Sequence, residues 1–434
     1  MQISRRGLFK SATIAGAGIA VHSIFGRAAD AHPLSPQESA APLPPAFDKL
    51  KPIRDRVRPI STEEYQARVA HAQQLMSEAK PQFSALYLMP GSSMYYFTGI
   101  HWAMSERLLG LIIPRQGSPL IVTPGFEEGR MRELLRWPMD VRIWQEDESP
   151  YSVAAQWLTE KNIRTGTIGV EETTKYVFFD GLRKAAPSLE FVSGDPITHA
   201  CRSVKSDHEL ELMRIACAAT FDVYRAVFAS LREGMTQYDV SDLLSRGFDR
   251  MGLRGEGLVL FGQWAALPHG TRQPQKLQEN EIVLIDGGTT VEGYQSDVTR
   301  CSLLGKPSEK LQRTFDCLRK SQDAALAAAV AGHPTGSVDD AARKVVADAG
   351  FGADYKVFAH RVGHGIGLDG HEWPYLVRGS TTILKPGMTF SDEPGIYIRG
   401  DYGMRLEDDI VIAESGAAHL LTPGFSPSLE NPVG

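Results

Sequence analysis

The sequence predicts an α+β protein of two domains, an α/β domain followed by an α+β domain. The chain has 434 residues, more than one domain of ordinary size contains. Segments typical of strands and helices alternate over residues 59–200, which indicates an α/β domain. Over residues 201–434 long helices come first and short strands follow, which indicates an α+β domain. No internal period points to a repeat protein.

Residues 1–31 predict an export signal rather than part of a folded domain. A basic start is followed by an apolar stretch at 12–25 and by small residues around Ala-Asp-Ala at 29–31, a candidate cleavage site. Arg5 and Arg6 in "SRRGLFK" resemble the twin-arginine signal, which exports folded proteins, often with their metal loaded. The apolar stretch is shorter than the roughly 20 residues that span a bilayer, so no stable membrane insertion is expected. We therefore expect a periplasmic protein; a short membrane anchor and a disordered basic tail are the alternatives.

Residues 32–58 are rich in proline, alanine and charge and predict a linker or an extended arm. In the first domain, residues 59–200, helices and strands are predicted from the spacing of apolar residues and from the glycines and prolines that separate the segments. The predicted helices are 61–79, 127–137 and 152–162. The predicted strands are 84–89, 94–100, 108–114, 119–124 and 167–171.

The second domain, residues 201–434, opens with a long amphipathic helix at 203–234. Ser206 and Asp207 form a plausible N-cap for it. The further elements are a helix at 236–252, strands at 281–288 and 293–305, two alanine-rich helices over 308–349 and a β-rich end from 381. All the chemical motifs below lie in this domain.

Composition and charge narrow the function classes. With 42% hydrophobic residues the chain can bury large cores, and its net charge of −6 without a Lys/Arg-rich block argues against nucleic-acid binding. None of the four cysteines lies in a C-x-x-C pair, which disfavours a zinc ribbon or a thioredoxin-like site. We expect free thiols, since a protein that folds in a reducing cytoplasm keeps them; disulfides after export are the alternative.

Four carboxylates stand beside apolar strand-like runs: Asp286, Asp297, Glu393 and Glu407. A buried carboxylate is costly alone, and two brought together repel unless a cation neutralises them. With one histidine added, the set is too large for one tetrahedral zinc. It suits two divalent ions about 3.5–4 Å apart, and oxygen-rich ligands favour Mn²⁺ or Co²⁺. The alternative is that these are solvated residues at turns and strand starts.

The run "VFAHRVGHGIGLDGHEWP", residues 357–374, holds three histidines among four glycines. They are His360, His364 and His371. One such histidine is commonly an ordinary core residue, but three that converge indicate a site. The glycines let backbone and ligands approach closely.

Together these residues resemble the "pita-bread" metallopeptidases, which include methionine aminopeptidase, Xaa-Pro aminopeptidase, Xaa-Pro dipeptidase and the metal-free relative creatinase. The family's ligand order is Asp, Asp, His, Glu, Glu, matched here by Asp286, Asp297, His364, Glu393 and Glu407. The resemblance implies a creatinase-like N-terminal domain at 59–200 and a pita-bread catalytic domain at 201–434. It also implies two divalent metal ions, with Mn²⁺ favoured and Co²⁺, Zn²⁺ and Fe²⁺ as alternatives.

The resemblance also suggests roles for residues around the ligands. His360 would line the substrate pocket and His371 would hydrogen-bond the substrate near the scissile bond. His269, in "FGQWAALPHGTRQP", would donate to the reacting carbonyl. Glu393 would be the general base, and Arg405 would orient a carboxylate. The alternatives are a core histidine for His360, a surface loop histidine for His269 and a surface strand residue for Arg405.

These features predict an exported hydrolase that cleaves the N-terminal peptide bond of Xaa-Pro peptides or dipeptides through a metal-bridging hydroxide. The alternative is a creatinase-like hydrolase or lyase of a small non-peptide metabolite. Trp264 gives that alternative weight, because it stands where the family usually has Asn. A non-enzymatic binding protein is disfavoured, since no ligand position is lost. The resemblance further implies a homodimer or homotetramer, in which the run "YYFTGIHWAM" at 95–104 is either interface or core.

Overall fold

A computed structural model describes residues 42–352, 354–424 and 426–434. The predicted export signal and the first part of the predicted arm lie outside the described residues. Residues 42–434 belong to one compact unit. Within the described ranges, none of the helices combines the length and the apolar character that crossing a membrane requires.

The N-terminal domain alternates helices and strands, as the sequence predicts for an α/β domain. Its helices are α1 (Thr62–Glu78), α2 (Ser92–Thr98), α3 (Glu128–Leu134), α4 (Pro150–Glu160), α5 (Tyr176–Ala185) and α6 (Asp195–Ser203). Its strands are β1 (Phe83–Leu88), β2 (Gly110–Pro114), β3 (Leu120–Pro124), β4 (Asp140–Trp144), β5 (Gly166–Val170) and β6 (Leu189–Ser193). They form one mixed sheet in the order β4-β3-β2-β1-β5-β6, in which β1, β5 and β6 are parallel.

The prediction of a strand over residues 94–100 is wrong, because this segment forms helix α2. Gly91 precedes the helix, and Gly99 ends it in the left-handed conformation with a φ of 70°. Every residue from 93 to 98 is buried, so the aromatic side chains pack on several sides rather than on one face of a sheet. Tertiary packing thus overrides the β preference of Tyr and Phe. This part of the run 95–104 belongs to the core.

The C-terminal domain contains four long helices and eleven short strands among the described residues. The helices are α7 (Asp207–Phe228), α8 (Gln237–Arg250), α9 (Glu309–Ala328) and α10 (Gly336–Asp348). The strands are β7 (Gly255–Phe261), β8 (Ile282–Val291), β9 (Tyr294–Gln295), β10 (Val298–Leu303), β11 (Gly363–Gly365), β12 (Glu372–Leu376), β13 (Thr389–Asp392), β14 (Gly395–Ile398), β15 (Tyr402–Arg405), β16 (Asp408–Ile412) and β17 (Ala418–Leu420). As predicted, Ser206 is the N-cap of α7, and its side chain accepts from the Glu209 N–H in a capping box.

Two sheets of this domain carry the candidate site residues. One has the order β10-β8-β7 with β9 paired to β8, and the other has the order β12-β11-β13-β16-β17. Strands β14 and β15 form a separate ribbon. Helices α9 and α10 contribute to a second core cluster together with the five-stranded sheet, whereas α7 lies in a cluster shared with the N-terminal domain.

A hairpin connects the strands of the two aspartates, and its turn lies at Glu292 and Gly293. Both have positive φ, and Val291 pairs with Tyr294 across this two-residue turn. The glycine pair after Asp286 lies inside β8 instead of in the turn. A Cβ on Gly288 would lie 1.9 Å from the Ser296 carbonyl oxygen, so only glycine allows this close approach.

The described part of the predicted arm, residues 42–58, packs on the folded domains with two short 3-10 turns. Phe47, Leu50 and Ile53 are buried, and the Ile53 N–H donates to the Met251 carbonyl at the end of α8. All four cysteines are buried free thiols.

Candidate active site

Asp286 and Asp297 come together because their strands pair. Asp286 lies in β8 opposite Thr299 of β10, and Asp297 immediately precedes β10. The side chain of Asp297 is buried, and its backbone N–H donates to Asp409 Oδ2 at 3.0 Å. The alternative of solvated turn residues does not apply to this pair.

His364, Glu393 and Glu407 come from the five-stranded sheet. His364 lies in β11, Glu393 follows β13, and Glu407 precedes β16, and these three strands are neighbours. His364 Nε2 is 3.2 Å from Glu393 Oε1. Ser391 connects the two residues, because its Oγ accepts from the His364 N–H and donates to Glu393 Oε1.

The five predicted metal ligands converge as overlapping triads. In each of two triads, ligand atoms from all three residues lie within 4.8 Å of one another: Asp286, Asp297 and Glu407 in the first, His364, Glu393 and Glu407 in the second. Glu407 is common to both, so one carboxylate reaches both triads. His371 forms a third group with Asp297 and His364.

The carboxyl groups of this cluster differ in their protonation. Burial, followed by repulsion from neighbouring acids, raises the pKa of Asp297 and of Glu407 well above the ordinary values. Burial also opposes ionisation of Glu393, but its hydrogen bond with His364 and its electrostatic interactions with His360, His364 and Arg405 lower its pKa overall. Of these three, Glu393 is therefore the carboxyl held most firmly as an anion.

Arg405 lies inside the carboxylate cluster and is only 3% exposed, so the surface-strand alternative does not apply. Its guanidinium forms an ion pair with Asp286 and donates through Nε to Thr299 Oγ1 at 3.0 Å. Thr299 Oγ1 donates in turn to Glu407 Oε2 at 2.5 Å. Arg405 thus fixes one carboxylate directly and a second one through Thr299.

Both ring nitrogens of His360 are engaged within the protein. Nε2 is 2.7 Å from the Tyr397 hydroxyl, and Nδ1 is 2.7 Å from the Arg361 carbonyl oxygen. Because Arg405 donates to the Tyr397 oxygen at 2.9 Å, Tyr397 can donate its proton to Nε2. Burial lowers the pKa of His360 to about 4, which agrees with a neutral ring.

His371 and His269 are the two exposed histidines among the candidate site residues, whereas His360 is only partly exposed. The His371 ring stacks on the His364 ring, with 3.7 Å between centroids. Partial burial and the charge of His364 lower the pKa of His371 to about 3, so its ring is neutral. His269 lies in the turn after a 3-10 segment, Gly262–Ala266, that includes the half-buried Trp264.

The donor set fits divalent cations. Four carboxylates and one imidazole converge in a buried cluster, where burial and then mutual repulsion raise the pKa values of Asp297 and Glu407. Oxygen-rich ligands with one nitrogen suit Mn²⁺, Co²⁺, Fe²⁺ or Zn²⁺. A separate group in the N-terminal domain, Glu172, Asp195 and His199, is partly exposed and has no assigned role.

Sequence reasoning missed four residues that hold this cluster: Thr299, Ser391, Tyr397 and Asp409. Each contacts a predicted site residue through the hydrogen bonds described above. Thr299 and Ser391 each lie two positions from a predicted ligand in an extended segment, which places them on the same face. This two-residue alternation could have predicted that Thr299 and Ser391 lie next to the candidate ligands.

Comparison with known proteins identifies the family. The model of metallopeptidase family M24 matches residues 211–414, and that of the creatinase/prolidase N-terminal domain matches residues 68–204. The Mycobacterium tuberculosis protein described as "Probable dipeptidase PepE" is 33% identical over 365 residues, which cover 83% of this chain and 95% of that protein. The chain belongs to metallopeptidase family M24. The predicted family resemblance is thereby confirmed.

Solved structures of M24 relatives share the fold. The dipeptidase PepE from Mycobacterium ulcerans has a TM-score of 0.79 and 33% identity, covering 86% of this chain and all of that chain. The prolidase from Thermococcus sibiricus has a TM-score of 0.75 and 28% identity, covering 83% and 97%. The prediction of a creatinase-like domain followed by a pita-bread domain is confirmed. Membership of this metallopeptidase family implies divalent metal ions.

Proposed function

We propose that this protein is an exported dipeptidase that hydrolyses Xaa-Pro dipeptides with two divalent metal ions, Mn²⁺ being favoured. One observation carries the proposal: five ligand residues converge in two triads that share Glu407. The names of the relatives, dipeptidase and prolidase, support a dipeptide substrate with proline in second position.

The residues around the cluster have chemically distinct roles in this reaction. When bound, divalent cations lower the pKa of water and polarise the scissile carbonyl. The Glu393 carboxylate accepts a proton from the attacking water and returns it to the proline nitrogen, which leaves as the C–N bond breaks. The rings of His371 and His269 offer N–H donors to the carbonyl oxygen as negative charge develops there. Arg405 and Tyr397 hold the surrounding carboxylates and His360 in place.

The test is hydrolysis by metal-free protein reconstituted separately with Mn²⁺, Co²⁺, Fe²⁺ or Zn²⁺. We expect cleavage of Ala-Pro, slower cleavage of Ala-Pro-Ala and little cleavage of Ala-Ala. The His371→Ala variant should keep its metal and lose about 100-fold in kcat, the scale of one oxyanion donor. If no metal-loaded sample cleaves any peptide, the Xaa-Pro proposal is wrong and small non-peptide amides become the substrates to screen.

We also propose export through the twin-arginine signal at Arg5 and Arg6. Replacing both by lysine keeps the charge but removes the geometry of the arginine pair. In a bacterial host we expect the wild-type chain, shortened at its N-terminus, in the periplasmic fraction and the double variant, at full length, in the cytoplasm. Periplasmic recovery of the double variant in equal amount would contradict this route.

The expected homodimer or homotetramer remains a proposal. Light scattering of the purified mature chain decides it, because a mass equal to one chain excludes both assemblies.

A further inference from the structure

Residues outside the β11–β12 hairpin hold the backbone around His371. Residues 366–371, here called the His371 segment, connect β11 to β12. The Gln295 N–H donates to the Gly367 carbonyl at 2.8 Å, and its side-chain amide donates to the Leu368 carbonyl at 2.9 Å. The His371 ring has no hydrogen bond among the described residues, and its stacking on His364 is its one ring contact there. Its orientation therefore depends on how this segment is anchored.

Glu372 follows His371 directly and forms a buried ionic cluster. Its Oε1 is 2.5 Å from Lys205 Nζ, and its Oε2 is 2.6 Å from an Arg202 terminal nitrogen. The same arginine nitrogen is 2.6 Å from Asp369 Oδ2, while Ser92 Oγ donates to Asp369 Oδ1. The side chains of Lys205 and Glu372 are 2% and 7% exposed, so water competes little with their contact.

This cluster joins the two domains. Arg202 lies in α6, the last helix of the N-terminal domain, and Lys205 lies in the connection between α6 and α7. The Lys205 N–H donates to the Gly387 carbonyl at 2.9 Å, which fixes the connection onto the catalytic domain. Both cations therefore come from outside the β11–β12 hairpin, and both form ion pairs with Glu372, the residue next to His371.

The surroundings are shaped for an ion pair. A Cβ on Gly367 would lie 2.6 Å from Glu372 Oε1 and 2.8 Å from Lys205 Cε, so the glycine leaves the room that the pair occupies. Burial opposes ionisation of Glu372, but the charges of Lys205 and Arg202 lower its pKa overall. Removing either cation would leave buried carboxylates with too little positive charge.

We propose that Lys205 and Arg202 are positioning residues, which anchor Glu372 and thereby hold the His371 ring toward the metal-ligand cluster. This inference rests on the proposed function, because it assigns His371 to the reaction. The N-terminal domain thus contributes directly to the geometry of the active site. Neither residue touches the substrate; each acts through the backbone between Glu372 and His371.

The first experiment compares Lys205→Met with Lys205→Arg. We expect kcat to fall about 10–100-fold in Lys205→Met while KM stays within about threefold, because a misplaced catalytic group loses rate more than binding. Lys205→Arg keeps the charge and should stay within about threefold of wild type in kcat. The control is Glu64→Gln, which perturbs another contact between the domains, Glu64 with His208 at 2.6 Å, and should leave kcat unchanged.

Hydrogen–deuterium exchange provides a readout independent of activity. Lys205→Met should speed exchange in peptides covering residues 363–376 and leave the rest of the chain as in wild type. Glu372→Gln, which preserves shape, replaces Lys205→Met if that variant does not fold. If the wild type cleaves no peptide, the proposed function fails, yet the exchange result still decides the positioning role. Unchanged exchange in this segment, or an equal fall of kcat in Glu64→Gln, would overturn the proposal.

Discussion

Asp297→Ala is expected to lose bound metal and to lower hydrolysis by about 1000-fold or more. Asp297 belongs to the triad with Asp286 and Glu407 and to the group with His364 and His371, so its loss affects both sides of the cluster. Metal polarisation of a carbonyl contributes several kcal/mol of transition-state stabilisation, and about 4 kcal/mol corresponds to about 1000-fold in rate. Elemental analysis of wild-type and variant protein, next to peptide assays, measures both effects.

The same variant separates metal loss from misfolding. Repulsion from Asp286, Asp409 and Glu393 contributes to the raised pKa of Asp297, so deleting its carboxyl relieves charge crowding in the metal-free state. We therefore expect metal-free Asp297→Ala to remain folded, which circular dichroism against metal-free wild type checks. Asp401→Ala is the matched control, because Asp401 is a half-exposed partner of Lys310 and should keep both metal and activity.

Two results would contradict this assignment. Retention of about two ions per chain in Asp297→Ala would remove Asp297 from the ligand set. Absence of metal from the wild type, even after reconstitution, would favour the metal-free creatinase-like chemistry carried by the histidines.

The candidate carboxylate ligands were predictable because the local sequence around them is recognisable. Asp286 ends an apolar run, and Glu393 precedes a Pro-Gly pair, so local sequence marks both positions. The contacts of Tyr397 were not predictable, because they depend on how the β14–β15 ribbon packs beside the residues before β11. Helix α2 was mistaken for a strand for a similar reason, since its burial on several sides is decided by packing and not by its residue types.

The ionic cluster of Lys205 and Glu372 also could not be predicted from local sequence. Both residues are ordinary in the sequence, a lysine near the start of the helix predicted at 203–234 and a glutamate after a histidine. They are 167 positions apart, and only the docking of α6 against the β11–β12 hairpin brings them to 2.5 Å. Local sequence patterns thus locate the candidate ligand and catalytic residues. The residues proposed to position them become recognisable only in the tertiary structure.

Metal-free protein is expected to lose stability as the pH rises from 7 to 8. In the folded state the pKa values of Asp297 and Glu407 are raised well above their ordinary values, whereas in the unfolded chain they return to about 4. Between these limits the folded state binds more protons than the unfolded state, so the free energy of unfolding falls with rising pH. Each group lowers the free energy of unfolding by up to about 1.4 kcal/mol per pH unit for as long as it stays protonated in the folded state.

Other titrating groups contribute to the pH dependence of stability mainly outside the range from pH 7 to 8. His360 and His371 have lowered pKa values, about 4 and about 3, so they cost stability only as the pH falls below their unfolded value of about 6.5. Burial raises the pKa of Asp409 to about 7, so most of the stability change that its deprotonation causes occurs before the pH reaches 8. The buried thiols Cys201 and Cys301, with pKa values raised to about 12, act in the same direction as the carboxyls but only near and above about pH 8.5.

Bound cations should reverse this loss, because they stabilise the ionised carboxylates and bind only to the folded state. Thermal unfolding with and without saturating Mn²⁺ should therefore show a metal-induced rise in Tm that is larger at pH 8 than at pH 7. Asp297→Asn removes one titrating carboxyl. Without metal, the free energy of unfolding of this variant should therefore fall less steeply with pH than that of the wild type, by the contribution of about one proton. A flat or rising stability of the metal-free wild type over this window would mean that the carboxylates are already neutralised within the protein, and the cluster would then need no cation.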